Sequence, residues 1–589
     1  MSTTTRIVLF LVLSYTAAPA LAAVDFPQCF RNVRDGLNGT EGVTDNQGNL
    51  LPSFTNMSAA TSITYDRCIE LCGSGQGSFD WSSFSQQFSA WLLPWLALLS
   101  QFPFGSRYNW DNLVSVLLAL GSPMLAAYSL ALTVLNTKWI LRRFTDIQYP
   151  NKEYAAKILA SLQQMAVKVT PVSEDGHPLL ASLIVVPKND AWWEKVEENL
   201  NYADMHSWSI SSWTSIAWVV IAYILTIFDA FTTISTDPNS NGSGLSGVGS
   251  IWLWMIPVTI GYLQLSPRSD CFRVERALKK ANEIPLVAGP ANTIVEVDTL
   301  TEERGLSILN HSHKDTLYSD QEASAPIYNY ARFLSFVHVV DEIASSSEAA
   351  SRKARRREPV AGPTVQWQPS LPGQGRAVNP ENRVGTTSQI ERYCDDPPYV
   401  RRSHWGFGVF TLFVIASLAA FALQWATSGA SILIVFFTPT VGLGCRSFAY
   451  TLYAGTATFV WMLLVLSSFL AHYATAYPRG TPPRSPHIVA RHVAITLRRV
   501  AKLLATLNAG FIIVTFFAQF ANRFDSCYCN ADVLGLRKRA HIVMVLLGPD
   551  IARMKAAWVG GIALAVIFSG AWLGFIYVIF ESLPMPSSS

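Results

Sequence analysis

Charged residues are scarce in this sequence, and their scarcity excludes an ordinary water-soluble fold for most of the chain. Asp, Glu, Lys and Arg make up 14% of the 589 residues, whereas hydrophobic residues make up 50%. Soluble domains usually carry about 25% charged residues. The net charge of +3 is too small to attract nucleic acid, so no nucleic-acid partner is predicted. The composition predicts an all-α polytopic membrane protein whose main partner is the lipid bilayer.

The sequence also lacks the motifs that carry common catalytic chemistry. It contains no GxxxxGK[ST] phosphate loop, no HExxH helix, no GxSxG elbow and no CxxC pair of the zinc type. The one close histidine pair, His311 and His313, lies in a polar stretch without a nearby cysteine. We therefore predict a non-enzymatic protein with no catalytic residue, no cofactor and no bound metal.

A cleaved secretory signal peptide is predicted at residues 1–22. Arg6 precedes a short apolar run, and Ala20-Leu21-Ala22 matches an A-x-A cleavage site. The run is shorter than the roughly 20 residues that span a bilayer, which argues against a membrane anchor. The predicted glycosylation sites are sequons in segments expected outside the cytosol: Asn38, Asn56 and Asn241.

Long apolar runs predict about seven transmembrane helices, at 112–135, 208–232, 249–265, 406–424, 449–474, 501–521 and 556–580. Two shorter apolar segments are ambiguous: residues 88–102 contain Pro94, and residues 431–444 contain Pro439. Each could be a short span, a re-entrant hairpin or an interfacial helix. If both cross the membrane, the chain has nine spans.

Basic residues favour the seven-span alternative. With the N-terminus outside, loops 136–207 and 266–404 face the cytosol and carry Lys and Arg near the span ends. The external loops 103–111 and 233–248 contain a single basic residue, Arg107. This is the positive-inside pattern. The predicted organisation in chain order is 1–22 signal peptide, 23–85 extracytosolic cysteine-containing segment, 86–135 proline-broken apolar segment and first span, 136–207 cytosolic loop with helices, 208–265 two spans, 266–404 cytosolic loop disordered over about 358–390, 405–580 four spans with a re-entrant candidate at 431–444, and 581–589 a short tail.

The cysteines predict a small disulfide-bonded N-terminal ectodomain that also involves later external loops. In the seven-span topology six of the eight cysteines lie outside: Cys29, Cys68, Cys72, Cys445, Cys527 and Cys529. Six cysteines allow fifteen connectivities, and the sequence does not choose among them. Cys271 and Cys394 lie inside, where they should stay reduced.

Few polar side chains fall within the predicted spans. Asp229 and Asn508 are the intramembrane candidates, because ionisable and amide groups at membrane depth mark pathways or helix contacts. Lys502 lies at a span end, where snorkelling explains it. A cytosolic basic run is a candidate for binding anionic lipid headgroups, the alternative being a solvated linker; its members are Arg352, Lys353, Arg355, Arg356 and Arg357.

Residues Trp81 to Phe144 carry a resemblance to a known protein family. The run from Phe84 to Leu98 (FSQQFSAWLLPWLAL), followed by Gln101-Phe102-Pro103-Phe104-Gly105 and Gly121-Ser122-Pro123, resembles uncharacterised multi-spanning membrane proteins of filamentous fungi, a family of unknown function. The resemblance is specific over about 60 residues. It implies a polytopic fold and brings no activity, ligand or catalytic residue.

Two classes of function remain open. The first is a receptor-like or scaffold protein of the secretory pathway and plasma membrane, with a protein partner for residues 266–404. The second is a transporter or channel for a small solute, which predicts a central cavity lined by Asp229 and Asn508. We favour the first class, because few ionisable groups lie in the spans and no internal repeat is evident.

Overall fold

A computed structural model describes residues 28–29, 31–32, 41–51, 60–73, 79–102, 109–200, 209–233, 249–265, 270–289, 293–309, 317–323, 325–370, 378–395, 408–475 and 484–581. The fold is mostly helical, with apolar helices of membrane-spanning length and disulfides near the N-terminus, so the predicted fold class is confirmed at that level. The predicted signal peptide lies outside the described residues, as do Asn38, Asn56 and Asn241.

The helices are, in chain order, α1 (Tyr65–Cys72), α2 (Trp81–Gln87), α3 (Leu93–Leu99), α4 (Asn109–Gly121), α5 (Pro123–Thr145), α6 (Lys152–Leu162), α7 (Leu179–Val185), α8 (Asp190–Leu200), α9 (Ile210–Thr233), α10 (Met255–Leu265), α11 (Cys271–Ala281), α12 (Ser319–Glu322), α13 (Asn329–Arg355), α14 (Thr387–Cys394), α15 (Val409–Phe436), α16 (Cys445–Thr475), α17 (Ser485–Phe520), α18 (Cys527–Asn530), α19 (Val533–Leu536) and α20 (Gly548–Glu581). The strands are β1 (Val43–Thr44), β2 (Ser62–Thr64), β3 (Val167–Val169), β4 (Leu286–Ala288), β5 (Ile294–Glu296), β6 (Leu306–Ile308) and β7 (His541–Val543).

Six helices in the described part of the chain are long and apolar enough to cross a membrane: α5, α9, α15, α16, α17 and α20. A seventh apolar stretch, Gly249–Leu265, is shorter. Among the six, α5 is the central helix, because 83% of its 18-residue apolar stretch is buried. The corresponding buried fraction is 28% in both α9 and α20. The exposed sides of α9 and α20 are apolar, as surfaces that contact lipid must be.

The predicted first span, 112–135, is two helices that meet at a sharp break. Helix α4 ends at Gly121 and α5 begins at Pro123. Ser115 on α4 lies against Tyr328, and further along α5 the hydroxyl of Ser129 donates to the carbonyl of Ile327 at 2.9 Å. Helices α4 and α5 therefore both pass beside residues 327–328. They form a hairpin whose tip lies inside the bundle.

The proline-containing segment 88–102 belongs to a helical stretch that runs the length of the bundle. Phe84 and Phe88 contact Phe517 near one end of α17, at ring-centroid distances of 6.4 and 6.2 Å. At the other end of the stretch, Gln101 accepts a hydrogen bond from Ser212, close to the start of α9 (2.6 Å). Pro94 directly follows a π-helical turn, Phe88–Leu92, so its missing N–H falls where the regular α-helical hydrogen-bond ladder is already interrupted.

One end of the bundle carries a compact disulfide unit, which we define as residues 41–51, 60–73 and 521–547. Strand β2 pairs antiparallel with both β1 and β7, and Ile63 lies opposite Ile542. The disulfides join Cys29 to Cys72, Cys68 to Cys527 and Cys445 to Cys529. The six cysteines predicted to pair do so, and Cys271 and Cys394 are free.

The opposite end carries a folded loop domain, which we define as the described residues of 146–200 and 270–395. Its core is apolar and includes Trp192 and Trp193. Residues 358–370 and 378–390 lie in the stretch predicted to be disordered, and that prediction does not hold for them. Arg383, 2% exposed at its side chain, forms a bidentate pair with Asp190 in which both N–O distances are 2.7 Å.

The segment 431–444 adopts none of the three conformations considered for it. Residues 431–436 are the last turns of α15, and residues 437–444 connect α15 to α16. In this connection the hydroxyl of Thr440 bonds to the carbonyls of Asn530 (3.1 Å) and His541 (3.0 Å). The connection therefore packs against the disulfide unit, and Pro439 follows the helix end, where proline is common.

Candidate functional site

The break between α4 and α5 is the first place where polar groups gather inside the bundle. Pro123 has no N–H and opens α5, and Ser122 caps that helix through a hydrogen bond from the Leu125 amide to its hydroxyl (3.3 Å). A break leaves backbone carbonyls and amides without helical partners. At membrane depth no water is present to satisfy them, so the protein must do so.

Side chains from three helices supply those partners, and we call the set Gln424, Tyr453 and Asn508 the polar clasp. Asn508 on α17 donates to the carbonyl of Gly121 (2.8 Å), and Tyr453 on α16 donates to that of Leu120 (2.7 Å). Gln424 on α15 accepts from the Met124 amide (2.9 Å). All three side chains are buried. The clasp fixes the hairpin tip to the three neighbouring helices.

Gly121 is required by the close approach of α4 to α17. A Cβ at this position would lie 2.0 Å from the backbone carbonyl oxygen of Ala505, and backbone cannot move aside as a flexible side chain can. Ser122 adds a hydrogen bond from its hydroxyl to the carbonyl of Ala457 on α16 (2.7 Å). Small residues at helix crossings allow such contacts between backbones within membranes.

A second polar cluster lies where the loop domain meets α17. Asp320 on α12 is 2% exposed and forms an ion pair with Lys502, and Arg498 lies 4.0 Å from its other oxygen. Tyr330 donates its hydroxyl to the same carboxylate (2.5 Å). Burial alone would raise the pKa of Asp320, but Lys502, Arg498 and the hydrogen bonds hold that pKa below its ordinary value. The carboxylate is therefore ionised at neutral pH and docks the loop domain onto α17.

Arg332 extends this contact from α17 to the hairpin. It is 2% exposed and donates to the carbonyls of Ala323 and Ala325 and to the side chain of Asn329. Asn329 in turn donates to Thr133 on α5. Burial lowers the pKa of Arg332 to about 9, so the guanidinium is still charged at neutral pH. The loop domain is thus held by α17 and α5 together.

Helix α17 connects the two ends of the molecule. Its Lys502 and Arg498 hold the loop domain, and the chain leaves its far end into the disulfide unit, where Cys527 and Cys529 are bonded to Cys68 and Cys445. Arg446 at the start of α16 adds an ion pair with Asp525 (3.0 Å). With 36 residues, α17 is about 54 Å long at 1.5 Å per residue.

No protein-family model, curated protein or solved structure matches this chain. The site is therefore interpreted from its own geometry. Two cavities in the described part of the chain have volumes of about 20 and 10 Å³. A water molecule needs roughly 10–15 Å³ on this measure, so these two cavities hold a water or a single ion.

The predicted intramembrane candidates have different outcomes. Asn508 makes the contacts between helices that its residue type suggests, since it also donates to the carbonyl of Tyr453 (3.1 Å). The side chain of Asp229 lies outside the described residues, and so do His311 and His313. Burial raises the pKa of the Cys394 thiol to about 12, so that thiol stays protonated and unreactive at neutral pH.

The basic run predicted to bind lipid lies far from the bundle. Helix α13 starts beside α5 at Asn329 and runs parallel to it, because Arg143 near the end of α5 pairs with Asp341 and Glu348. The helix has 27 residues, about 40 Å, and the basic residues stand at its far end. There Lys353 donates to the carbonyl of Arg392. Binding of this run to lipid headgroups stays a prediction.

Sequence reasoning missed most of the polar groups that organise the bundle. Gln424 and Tyr453 lie in apolar runs, and nothing marks them as partners of a helix break. Lys502 was explained by snorkelling, but it is paired with Asp320. One usable signal was present: Gly121-Ser122-Pro123 interrupts the 112–135 run with the residues that end one helix and begin another.

Proposed function

We propose that this chain is a non-enzymatic, receptor-like or scaffold protein of the secretory pathway that resides in the plasma membrane. In this proposal the disulfide unit faces outward, the loop domain faces the cytosol, and α17 connects them. The observation that carries the proposal is that one helix holds both units through specific bonds: Lys502 and Arg498 to Asp320 at one end, and the Cys445–Cys529 bond just beyond the other.

We further propose a topology of seven spans with a new first span. Residues 81–101 cross from outside to inside, because their ends contact Phe517 and Ser212 at opposite ends of the bundle. The α4–α5 hairpin then enters from the cytosolic side and returns. The remaining spans are α9, the Gly249–Leu265 stretch, α15, α16, α17 and α20. This topology keeps the loop domain inside, in line with the positive-inside rule.

The polar clasp supports a structural role over transport. A transporter that uses a broken helix exposes its free backbone groups to the substrate. Here the carbonyls of Leu120 and Gly121 and the amide of Met124 are bonded to Tyr453, Asn508 and Gln424. The broken helix itself is the one observation that favours the second candidate, a transporter. Transport at this break would require the polar clasp to open.

Thiol labelling tests the topology at a residue where two alternatives disagree. If residues 112–135 were the first span, Trp110 would be external; in the proposed topology it is cytosolic. Trp110 is 59% exposed, so Trp110→Cys is reachable in a background carrying Cys271→Ser and Cys394→Ser. We expect an impermeant thiol reagent to label it only after permeabilisation. Labelling in intact cells contradicts the topology.

Two controls define the sides in that experiment. Leu50→Cys, at a position 69% exposed in the disulfide unit, should react in intact cells. Asp175→Cys, at an exposed position in the loop domain, should react only after permeabilisation. If both controls behave in the opposite way, the whole molecule is inverted.

Coupling through α17 is tested by hydrogen exchange in the purified full chain. The double variant Cys445→Ser/Cys529→Ser frees the ends of α16 and α17, and we expect faster exchange in residues 317–330 at the other end. Cys29→Ser/Cys72→Ser is the matched control, because that bond involves neither helix. Equal exchange in both variants argues against coupling. Solute or ion flux into proteoliposomes above that of empty liposomes would favour the transporter.

A further inference from the structure

The cleft beside the Cys445–Cys529 disulfide contains two side chains, Asp532 and Asn530, whose oxygens have no described hydrogen-bond partner. It lies between the α15–α16 connection and residues 529–532, and its volume is about 20 Å³. Its walls include Thr438, Thr440, Arg446, Asn530 and Asp532. None of these groups takes part in the contacts by which α17 holds the loop domain, so the cleft needs its own explanation.

Asp532 is the group that most needs a partner. It is 7% exposed, and no described hydrogen-bond donor contacts its carboxylate. Its backbone carbonyl accepts from the amides of Gly535 (3.0 Å) and Leu536 (2.9 Å), and these bonds hold the residue in place. Burying an ionised carboxylate without hydrogen bonds is costly, so such a group binds either a proton or a cation.

The neighbouring groups do not neutralise Asp532. Arg446 lines the cleft, but its guanidinium is paired with Asp525 (3.0 Å). Those three groups together carry a net charge of −1 when Asp532 is ionised. When Asp532 is ionised, the cleft therefore lacks a balancing positive charge.

The other side chains supply oxygen acceptors. The side-chain oxygen of Asn530 is buried without a hydrogen-bond partner. The hydroxyl of Thr438 donates to the carbonyl of Ile434 (2.8 Å), which leaves its oxygen lone pairs free to accept. Both cysteine sulfurs are in a disulfide, so the cleft has no thiolate. Oxygen ligands without nitrogen or sulfur suit hard cations.

We propose that this cleft binds a hard cation, Ca²⁺ or Na⁺, with the side chains of Asp532 and Asn530 as its ligands. The inference goes beyond the proposed function and does not depend on it, because binding is measured on the purified chain. The cation would lie between residues 437–447 and residues 529–532, next to the disulfide that joins α16 to α18. The Nε–H of Arg446, which has no described acceptor, limits the affinity by its positive charge.

Hydrogen exchange in a K⁺ background at constant ionic strength tests the proposal. In one arm CaCl₂ is titrated over about 0.1–1 mM, the range of weak extracellular Ca²⁺ sites; in the other arm NaCl replaces KCl. We expect one of the two cations to slow exchange in residues 437–447 and 526–536. If neither cation changes the exchange, the proposal is overturned.

Variants assign the effect to the cleft. Asp532→Asn removes the charge at nearly constant shape, and Asn530→Ala removes the second ligand; each should weaken binding by at least about tenfold. Asp532→Glu retains the carboxylate and should restore part of the response. Glu41→Gln, an exposed site in the same unit, should respond like the parent. An unchanged response in both Asp532→Asn and Asn530→Ala overturns the assignment, and formation of the Cys445–Cys529 disulfide verifies that each variant folds.

Discussion

Asn508 donates its side-chain amide to the carbonyl of Gly121 across 2.8 Å, and the two residues are 387 positions apart in the chain. The bond joins the end of α4 to the middle of α17, so it connects the hairpin to the helix that joins the two ends of the molecule. Because Gly121 ends a helix, its carbonyl has no continuing helical partner. The amide of Asn508 takes the place of the helical donor.

We expect Asn508→Leu to destabilise the bundle. The substitution preserves the side-chain size and leaves the Gly121 carbonyl buried without a donor, which costs about 1–3 kcal/mol. The free energy of unfolding in mixed micelles measures the change. Thr506→Ala is the matched control on α17, because Thr506 is exposed and its hydroxyl bonds only within the same helix. Equal losses of unfolding free energy in the two variants would show that the hydrogen bonds of Asn508 do not stabilise the bundle.

We expect Gly121→Ala to prevent correct packing of the hairpin. The added Cβ would lie 2.0 Å from the Ala505 carbonyl oxygen, so α4 and α17 must separate. Gly510→Ala, on the same α17, places its Cβ in open space and should be neutral or slightly stabilising, because alanine favours helix. Thermal unfolding and the yield of monodisperse protein compare the two. A normal Gly121→Ala protein would show that the close approach is wrong.

We expect Asp320→Asn to detach the loop domain from α17. It leaves Lys502 and Arg498 without their carboxylate, and breaking a buried ion pair from one side costs about 3–5 kcal/mol. Proteolysis and hydrogen exchange in residues 317–330 report the loss. Asp175→Asn, an exposed carboxylate of the same domain, serves as the control. The double variant Asp320→Asn/Lys502→Met should lose less than the sum of its single variants, since the pair is shared.

Acidification should weaken one end of the molecule and strengthen the other. The pKa of Asp320 is held below the unfolded value of 3.8, so its contribution is complete above pH 3.8 and is lost as the pH falls through the lower folded value. The pKa of Asp532 is raised from 3.8 to about 7, so its contribution favours folding at low pH and is lost as the pH rises from 3.8 to 7. Protection of the amides, corrected for the pH dependence of chemical exchange, should therefore rise in residues 526–536 as the pH falls from 7 to 3.8 and fall in residues 317–330 below pH 3.8. Parallel changes would contradict the two environments.

The Cys68–Cys527 bond should hold together two halves of a cleaved chain. A protease site inserted after residue 396 separates Cys68 from Cys527, which are 459 residues apart. We expect the cut protein to migrate as one species on a non-reducing denaturing gel and as two after reduction. Cys68→Ser should give two species under both conditions. Two species in the parent without reductant would mean that Cys68 pairs within the N-terminal half.

The sequence predicted features that depend on composition, such as apolar length. It missed features that depend on contacts between residues far apart in the chain. Apolar length predicted the membrane helices, and the side of each loop predicted which six cysteines pair. Hydropathy treated 112–135 as one span, because it averages over Gly121-Ser122-Pro123 and does not detect a reversal. It also undervalued residues 81–101, because Pro94 is typical of a helix break, and the π-helical turn that accommodates it is not visible in the sequence.

The candidate site was less predictable for a related reason. Asp320 stands in a polar stretch far from Lys502 in sequence, and nothing local shows that the two pair. The segment 358–390 has the composition of a disordered region, yet Arg383 binds Asp190, almost 200 positions earlier. Long-range partners of this kind offset the weak local preferences of such a segment, and a single sequence does not reveal them.

The bond between Cys68 and Cys527 has a consequence for how the chain is made. In the proposed topology Cys68 enters the oxidising lumen early, whereas its partner is synthesised 459 residues later, about 25–90 s at roughly 5–20 residues per second. During that time six spans enter the membrane, and the luminal cysteines that Cys68 can pair with are first Cys29 and Cys72 and later also Cys445. Correct pairing therefore requires that the Cys68 thiol stay reduced until Cys527 reaches the lumen, or that an isomerase exchange an incorrect early disulfide. The finished bond then records that both cysteines reached the lumen, so an even number of spans was inserted between them.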